Sequence, residues 1–228
     1  MGRVGVVNYA AGNLASVESV LKRLGAEYTV SDNPVVLQDC ERIIFPGVGE
    51  ARAAMGELEK RGLDRFLPEF AASGKPLLGI CIGYQILLSR SEENQTPCLG
   101  IIPGEVVRFP EDRGVKIPHM GWNEVTQRGD SPLFRGIPDR SSFYFVHSYY
   151  PRPVISGERA GEIAGETEYG VKFASAYTRD NLFAVQFHPE KSGEWGIKMI
   201  SNFLHLPGTF DDYSSGTPEK SSIEEERR

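Results

Sequence analysis

The sequence predicts an α/β fold: three layers, with an open, mostly parallel sheet between helices and antiparallel strands added to it. Three observations lead there. Short runs rich in Val, Ile and Leu recur along the first half of the chain, as buried strands do. Between them, apolar residues return at helical spacing, so strand and helix alternate in the manner of βαβ units. After Cys98 the texture changes to strand-like segments separated by short turns, which suggests antiparallel additions.

Residues 3–8 form the first apolar run and predict a strand. Leu14, Val17, Val20, Leu21 and Leu24 then recur as one helical face, and Gly25 stands where a helix C-cap belongs. Residues 27–30 and 42–45 predict the next two strands, the second stopping at Pro46-Gly47. Helices follow over 51–60 and 63–72, and Gly74-Lys75-Pro76 breaks the chain. Residues 77–80 predict a strand, and a helix begins at Ile82. Further strands are expected over 105–109, 142–149, 172–177 and 182–187, with 151–170 an exposed loop holding a short hairpin. A closing helix covers 194–206. One domain therefore spans 1–207. Residues 208–228 carry six acids against three bases and few apolar side chains, which predicts a disordered acidic tail.

Composition excludes several classes. The chain has 228 residues, 40% hydrophobic and 25% charged, ordinary values for a soluble globular protein. The net charge of −6 lacks the clustered basic residues of a nucleic-acid footprint. No apolar run is long enough to span a membrane, and the N-terminus has no signal-peptide core. Three cysteines without CxxC spacing argue against a disulfide framework or a zinc site and for a reducing, cytoplasmic compartment. No metal and no cofactor is expected.

The sharpest chemical signal is Gly79-Ile80-Cys81-Ile82-Gly83, a G-x-C-x-G between a strand and a helix. It has the form of a nucleophile elbow with Cys for Ser. Side chains at Gly79 or Gly83 would collide with the neighbouring strand or helix. The turn lifts the Cys81 sulfur at the C-terminal edge of the sheet, where open α/β folds bind ligands. The helix start favours thiolate, and the Ile82 N–H is free to meet an oxyanion. The competing reading, Cys81 as a small buried hydrophobe, carries equal weight until the flanking glycines are counted. The second signal is Phe187-His188-Pro189-Glu190, in which a strand delivers an imidazole and a carboxylate follows two residues later. A thiol nucleophile needs such a base, and the base needs an orienting partner. The third is Pro46-Gly47-Val48-Gly49, whose Val48–Gly49 loop supplies a second oxyanion N–H.

At these segments the chain resembles the class I (triad) glutamine amidotransferases, whose architecture is flavodoxin-like, over roughly residues 3–206. PGVG, GICIGYQ and FHPE stand in the family's order. Pro118-His119-Met120-Gly121-Trp122-Asn123, Phe145-Val146-His147-Ser148-Tyr149 and Asn8-Tyr9 followed by Gly12-Asn13-Leu14 narrow the resemblance to glutaminase subunits of imidazole glycerol phosphate synthase. Asn8 and Ala10-Ala11 depart from that family's usual Asp and Gly-Met. The resemblance implies that Cys81 attacks the glutamine side-chain amide, that His188 carries the proton, and that Glu190 orients His188. It implies that Gln85, Glu93, Ser148 and Tyr149 bind the main-chain groups of glutamine. It further implies a partner, a (β/α)₈ barrel cyclase that consumes the ammonia in histidine biosynthesis. The docking face would include Asn13, Pro118, His119, Met120, Trp122 and Lys191. The alternatives are a glutaminase subunit serving pyridoxal phosphate, anthranilate or aminodeoxychorismate synthesis, a thiol peptidase on the same fold, and a non-catalytic binding module.

Overall fold

The computed structural model describes residues 2–9, 14–154 and 162–210. Its main sheet contains β1 (Val4–Val7), β2 (Tyr28–Ser31), β3 (Arg42–Gly47), β4 (Leu77–Cys81), β9 (Thr126–Gln127), β12 (Ile163–Tyr169), β13 (Val171–Arg179) and β14 (Leu182–Val185). The strand order is β2-β1-β3-β4-β14-β13-β12-β9. The first five run parallel, and β13, β12 and β9 continue the sheet antiparallel. This is the mostly parallel three-layer fold that the sequence predicts.

The central strands are apolar throughout because both faces are covered. Ile44, Leu78, Ile80, Phe183 and Val185 join the cluster beneath α1 (Leu14–Arg23) and α6 (Gly193–Leu204). Their neighbours Ile43, Phe45, Leu77, Leu182 and Ala184 join the cluster beneath α2 (Pro34–Gln38), α3 (Ala51–Arg61), α4 (Leu63–Ala72) and α5 (Ile82–Leu87). Alternate side chains of one strand thus serve opposite layers. The short α2 escapes the periodicity, but its start is written in the sequence: the Asn33 side chain accepts the Val35 N–H at 3.0 Å. Arg42 is buried, and its Nη1 donates to the carbonyls of Phe203 and Leu206, closing the C-terminal end of α6.

Four expectations need correcting. β3 does not stop at Pro46-Gly47; both residues pair with β4, Pro46 opposite Ile80 and Gly47 opposite Cys81. The segment at 105–109 lies in β7 (Ile102–Arg108), and that at 142–149 divides into β10 (Ser142–His147) and the start of β11 (Tyr149–Pro153). Neither joins the main sheet. β7 pairs with β11 and with β5 (Leu88–Ser91), which also pairs β6 (Thr96–Pro97), while β10 pairs with β8 (His119–Glu124). Alternation identifies a strand but not its partner, and β3 and β14 already hold the places next to β4. The stretch at 151–170 is not mainly loop: its ends are β11 and β12, whose polar residues conceal a strand that buries Ala164 and Thr167.

Beyond Pro207 the chain stays in contact with the fold as far as Phe210. Its N–H donates to the Gly74 carbonyl at 2.9 Å, and its ring lies 6.0 Å from that of Phe183. The remainder of the expected tail, 211–228, lies outside the described residues, as do Ala10, Ala11 and Asn13.

Candidate active site

Cys81 ends β4 and opens α5 in one turn, with φ 56° and ψ −110°, a conformation costly for a residue bearing a Cβ. Close packing explains the glycines on either side. A Cβ on Gly83 would lie 2.0 Å from the Phe45 carbonyl oxygen, and one on Gly79 would lie 2.7 Å from Leu87. The sulfur is not thrust into solvent, since Cys81 is only 6% exposed. It faces a cavity of about 420 Å³. That cavity gathers Val48, Gly49, Cys81, Ile82, Gln85, Glu93, Ser148 and Tyr149, with Pro118, Val146 and His147 completing the wall. Every oxyanion and substrate residue expected from the sequence is therefore on one surface.

His188 follows β14 and is fixed through its backbone. Its N–H donates to the Tyr144 carbonyl at 2.9 Å. Ser192 Oγ donates to the His188 carbonyl at 2.6 Å and accepts the Tyr144 N–H at 2.9 Å, tying the segment to β10. The Nδ1–H of His188 donates to Glu190 Oε1 at 2.7 Å, which turns Nε2 toward the cysteine. Nε2 is buried and has no well-aligned partner, a common condition for a catalytic base without substrate. Burial opposes the imidazolium, but the charge and hydrogen bonding of Cys81, and then Glu190, outweigh it and push the His188 pKa up to about 10.

Glu93 has a second task that its sequence position does not disclose. Its Oε2 accepts the Ala51 N–H at 2.7 Å, fixing the first turn of α3 to the pocket rim. Burial raises its carboxyl pKa, the Ala51 hydrogen bond lowers it, and Glu50 raises it.

Several side chains here have contacts that the sequence does not disclose. Gln186, fully buried, donates from Nε2 to the Cys81 sulfur at 3.6 Å. Its Oε1 accepts from Gln85 Nε2 at 2.9 Å, and Gln85 Nε2 also donates to the Tyr149 carbonyl at 2.9 Å. The same carbonyl accepts from His147 Nδ1 at 2.7 Å. His147 Nε2 must then accept, so His119 Nδ1 donates to it at 3.0 Å, and His119 Nε2 accepts from Asn123 Nδ2 at 3.2 Å. Burial pushes His119 down to about 4 and His147 to about 3, so both rings are neutral and this pattern is self-consistent. The two rings meet, but among the described residues no group of three His, Cys, Asp or Glu could hold a metal. Tyr9 is also buried, with its unpartnered hydroxyl against Gly47 and its pKa raised by burial and by the charge of Cys81.

Of the expected docking residues, Pro118, Met120 and Trp122 are exposed, Met120 by 62% and Trp122 by 58%. His119 is not on that face; strand alternation turns it inward, where it is 2% exposed. Trp122 leans on Tyr144 and passes beside Gly193. Lys191 is half-buried in the short 3₁₀ turn Pro189–Lys191, and its ammonium has no ion-pair partner among the described residues.

Comparison with known proteins bears on the family and the fold. The family described as glutamine amidotransferase class-I matches residues 6–206. The imidazole glycerol phosphate synthase subunit HisH of Aromatoleum aromaticum is 47% identical over 213 residues, 90% of this chain and 98% of that one. The protein of the same name from Dehalococcoides mccartyi is 45% identical, over 89% of this chain and 97% of its own. Among solved structures, PurLQS from Thermotoga maritima aligns with a TM-score of 0.68 at 19% identity, covering 90% of this chain and 98% of that one. A second, titled a glutamine amidotransferase, aligns at 0.65 and 23% identity, covering 88% and 96%. These two bear on the fold alone.

Proposed function

The chain belongs to the glutamine amidotransferase class-I family, and we infer that it is the glutaminase subunit of an imidazole glycerol phosphate synthase, acting in histidine biosynthesis. One observation carries the chemistry: the strained Cys81 turn borders a cavity whose wall holds Gln85, Glu93, Ser148 and Tyr149, and the cysteine acts on the buried His188, which is paired with Glu190.

The reaction runs through a cysteinyl thioester. With the proton on His188, the Cys81 sulfur attacks the side-chain amide carbon of glutamine and a C–S bond forms. The carbonyl oxygen gains charge, which the N–H of Ile82 and an N–H of the Val48–Gly49 loop meet. His188 gives its proton to the departing nitrogen, the C–N bond breaks, and ammonia leaves. His188 then takes a proton from water as the water oxygen attacks the thioester. The C–S bond breaks, its electron pair returns to sulfur, and glutamate departs. Glu190 keeps Nε2 of His188 facing the sulfur throughout. Glu93 pairs with the substrate α-ammonium, and Gln85 with the Ser148–Tyr149 backbone holds the remaining main-chain groups.

The ammonia passes to a cyclase subunit, a (β/α)₈ barrel, which makes imidazole glycerol phosphate and aminoimidazole carboxamide ribotide. Free ammonia would be protonated in water, so the partner docks over the cavity mouth. Pro118, Met120 and Trp122 supply the exposed apolar part of that face, and Lys191 lies at the catalytic edge with a charge to pair across the interface. Work of this kind belongs in the cytoplasm. Among the described residues no helix is long and apolar enough to cross a membrane.

Mixing the chain with the matching cyclase and following glutamine-dependent product is the deciding experiment. Cys81→Ser is expected to abolish glutamine use and leave ammonia-dependent synthesis by the complex intact. Continued glutamine turnover by that variant would show that the nucleophile lies elsewhere. The flanking Gly47 and Gly49 let the Val48 peptide reorient, so glutaminase activity is expected to be low alone and to rise when the cyclase is added.

A further inference from the structure

We propose that Gln186 is a further catalytic residue of this glutaminase, its side-chain amide donating a hydrogen bond that stabilises the Cys81 sulfur anion before attack and again as the thioester breaks. The proposal rests on Cys81 being the nucleophile.

The contact is direct. Gln186 Nε2 lies 3.6 Å from Cys81 Sγ, within hydrogen-bond range for sulfur, and Gln186 is 0% exposed. A carboxamide could present either its NH₂ or its oxygen to the sulfur, and the surrounding bonds decide which. Gln186 Oε1 accepts from Gln85 Nε2 at 2.9 Å. Reversing the Gln186 amide would set NH₂ against NH₂ there and a carbonyl oxygen against the sulfur. Gln85 cannot reverse to suit, because its Nε2 also donates to the Tyr149 carbonyl at 2.9 Å. That carbonyl is held from behind by His147, which is held in turn by His119 in β8. Each donor in the series is fixed by the next, and the last of them points at the nucleophile.

The chemistry uses such a donor at two moments. The sulfur carries charge as the free anion and regains it when the C–S bond breaks and the electron pair returns to it. In the thioester between those moments it carries none. A donor whose bond strengthens with that charge favours the anion over the thiol before attack and lowers the barrier to C–S cleavage, without tightening the resting thioester. No additional reactant enters, and the water-derived proton remains on His188.

A purely structural reading makes Gln186 a buried link between β14 and Gln85. Gln186→Glu separates the two, since one carboxylate oxygen still accepts from Gln85 while the other replaces the donor with an acceptor. The full chain is treated with iodoacetamide at pH 7, and alkylation of Cys81 is followed by peptide mass. Burial pushes the Cys98 thiol up to about 12 and raises that of Cys40, which keeps background labelling low. Alkylation of Cys81 is expected to fall at least about tenfold in Q186E, because an anion would then face the sulfur. Gln186→Met removes the donor without adding charge, and a loss of about fivefold is expected from the missing hydrogen bond. Parental alkylation rates in either folded variant overturn the proposal. If Cys81 of the unaltered chain itself resists iodoacetamide, the glutaminase reading fails and this proposal falls with it. A reactive parent beside an unaffected Q186E removes the proposal alone.

Discussion

His188 is the residue on which the proposed proton chemistry turns, and its state is set by two neighbours, Cys81 and Glu190, working against burial. Its pKa is raised from the ordinary 6.5 to about 10 because Cys81 and Glu190 outweigh burial. The folded chain therefore binds this proton more tightly than the unfolded chain does. The resulting stabilisation is complete below about pH 6.5 and is lost as pH rises through about 10. The His188 ring is expected to remain protonated by NMR through pH 8, and its midpoint is expected to fall in Cys81→Ser. A midpoint that stays in place would show that the sulfur is not its partner. His119 and His147 should remain neutral through the same range, since burial holds them at about 4 and about 3. The Cys81 turn and the His188–Glu190 contact were legible in the sequence, because a strand end, an imidazole and a carboxylate stand within a few residues and the cysteine announces itself by two glycines. Gln186 was not, because its partners lie 101 and 105 residues away along the chain.

At the scale of elements, the nucleophile turn depends on how closely β3 approaches α5. Gly83 is helical, and alanine there should stabilise α5 by about 1 kcal/mol from propensity alone. The structure reverses that sign. An added Cβ would lie 2.0 Å from the Phe45 carbonyl, backbone that cannot swing aside. Gly83→Ala is expected to destabilise the fold by about 1–3 kcal/mol, as overpacking does, measured by denaturant unfolding, and to reduce turnover. A more stable variant would remove the close-approach argument. β3 also runs longer than the sequence predicts: Pro46 and Gly47 stay in register with β4, Gly47 opposite Cys81. Helix periodicity recovered α1, α3, α4 and α6, each with a full apolar face. It could not recover β12 or α2, where a short or polar run buries few apolar side chains.

Across the whole molecule, five parallel strands carry Cys81 and the segment leading to His188 to one edge, and the smaller sheets build the rest of the pocket over it. β8 links two functions through strand alternation, with Met120 and Trp122 facing out and His119 facing the hydrogen-bonded series behind Tyr149. Trp122→Ala is expected to weaken association with the cyclase at least about tenfold, or ~1.4 kcal/mol, as truncation of an aromatic anchor does. Calorimetric titration measures it, and the melting temperature should hardly move because Trp122 is already 58% exposed. Unchanged affinity would place the docking face elsewhere. By itself the sequence determined the strand–helix alternation, the nucleophile turn and the His–Glu pair, because each is local: periodicity, turn sterics and residues adjacent in the chain. Only the tertiary structure decided which strands share a sheet, that His119 turns inward, and that Gln186 reaches the sulfur. Those outcomes depend on competition among distant segments for the same edges and cavities, and nothing along a single stretch of chain records which one prevails.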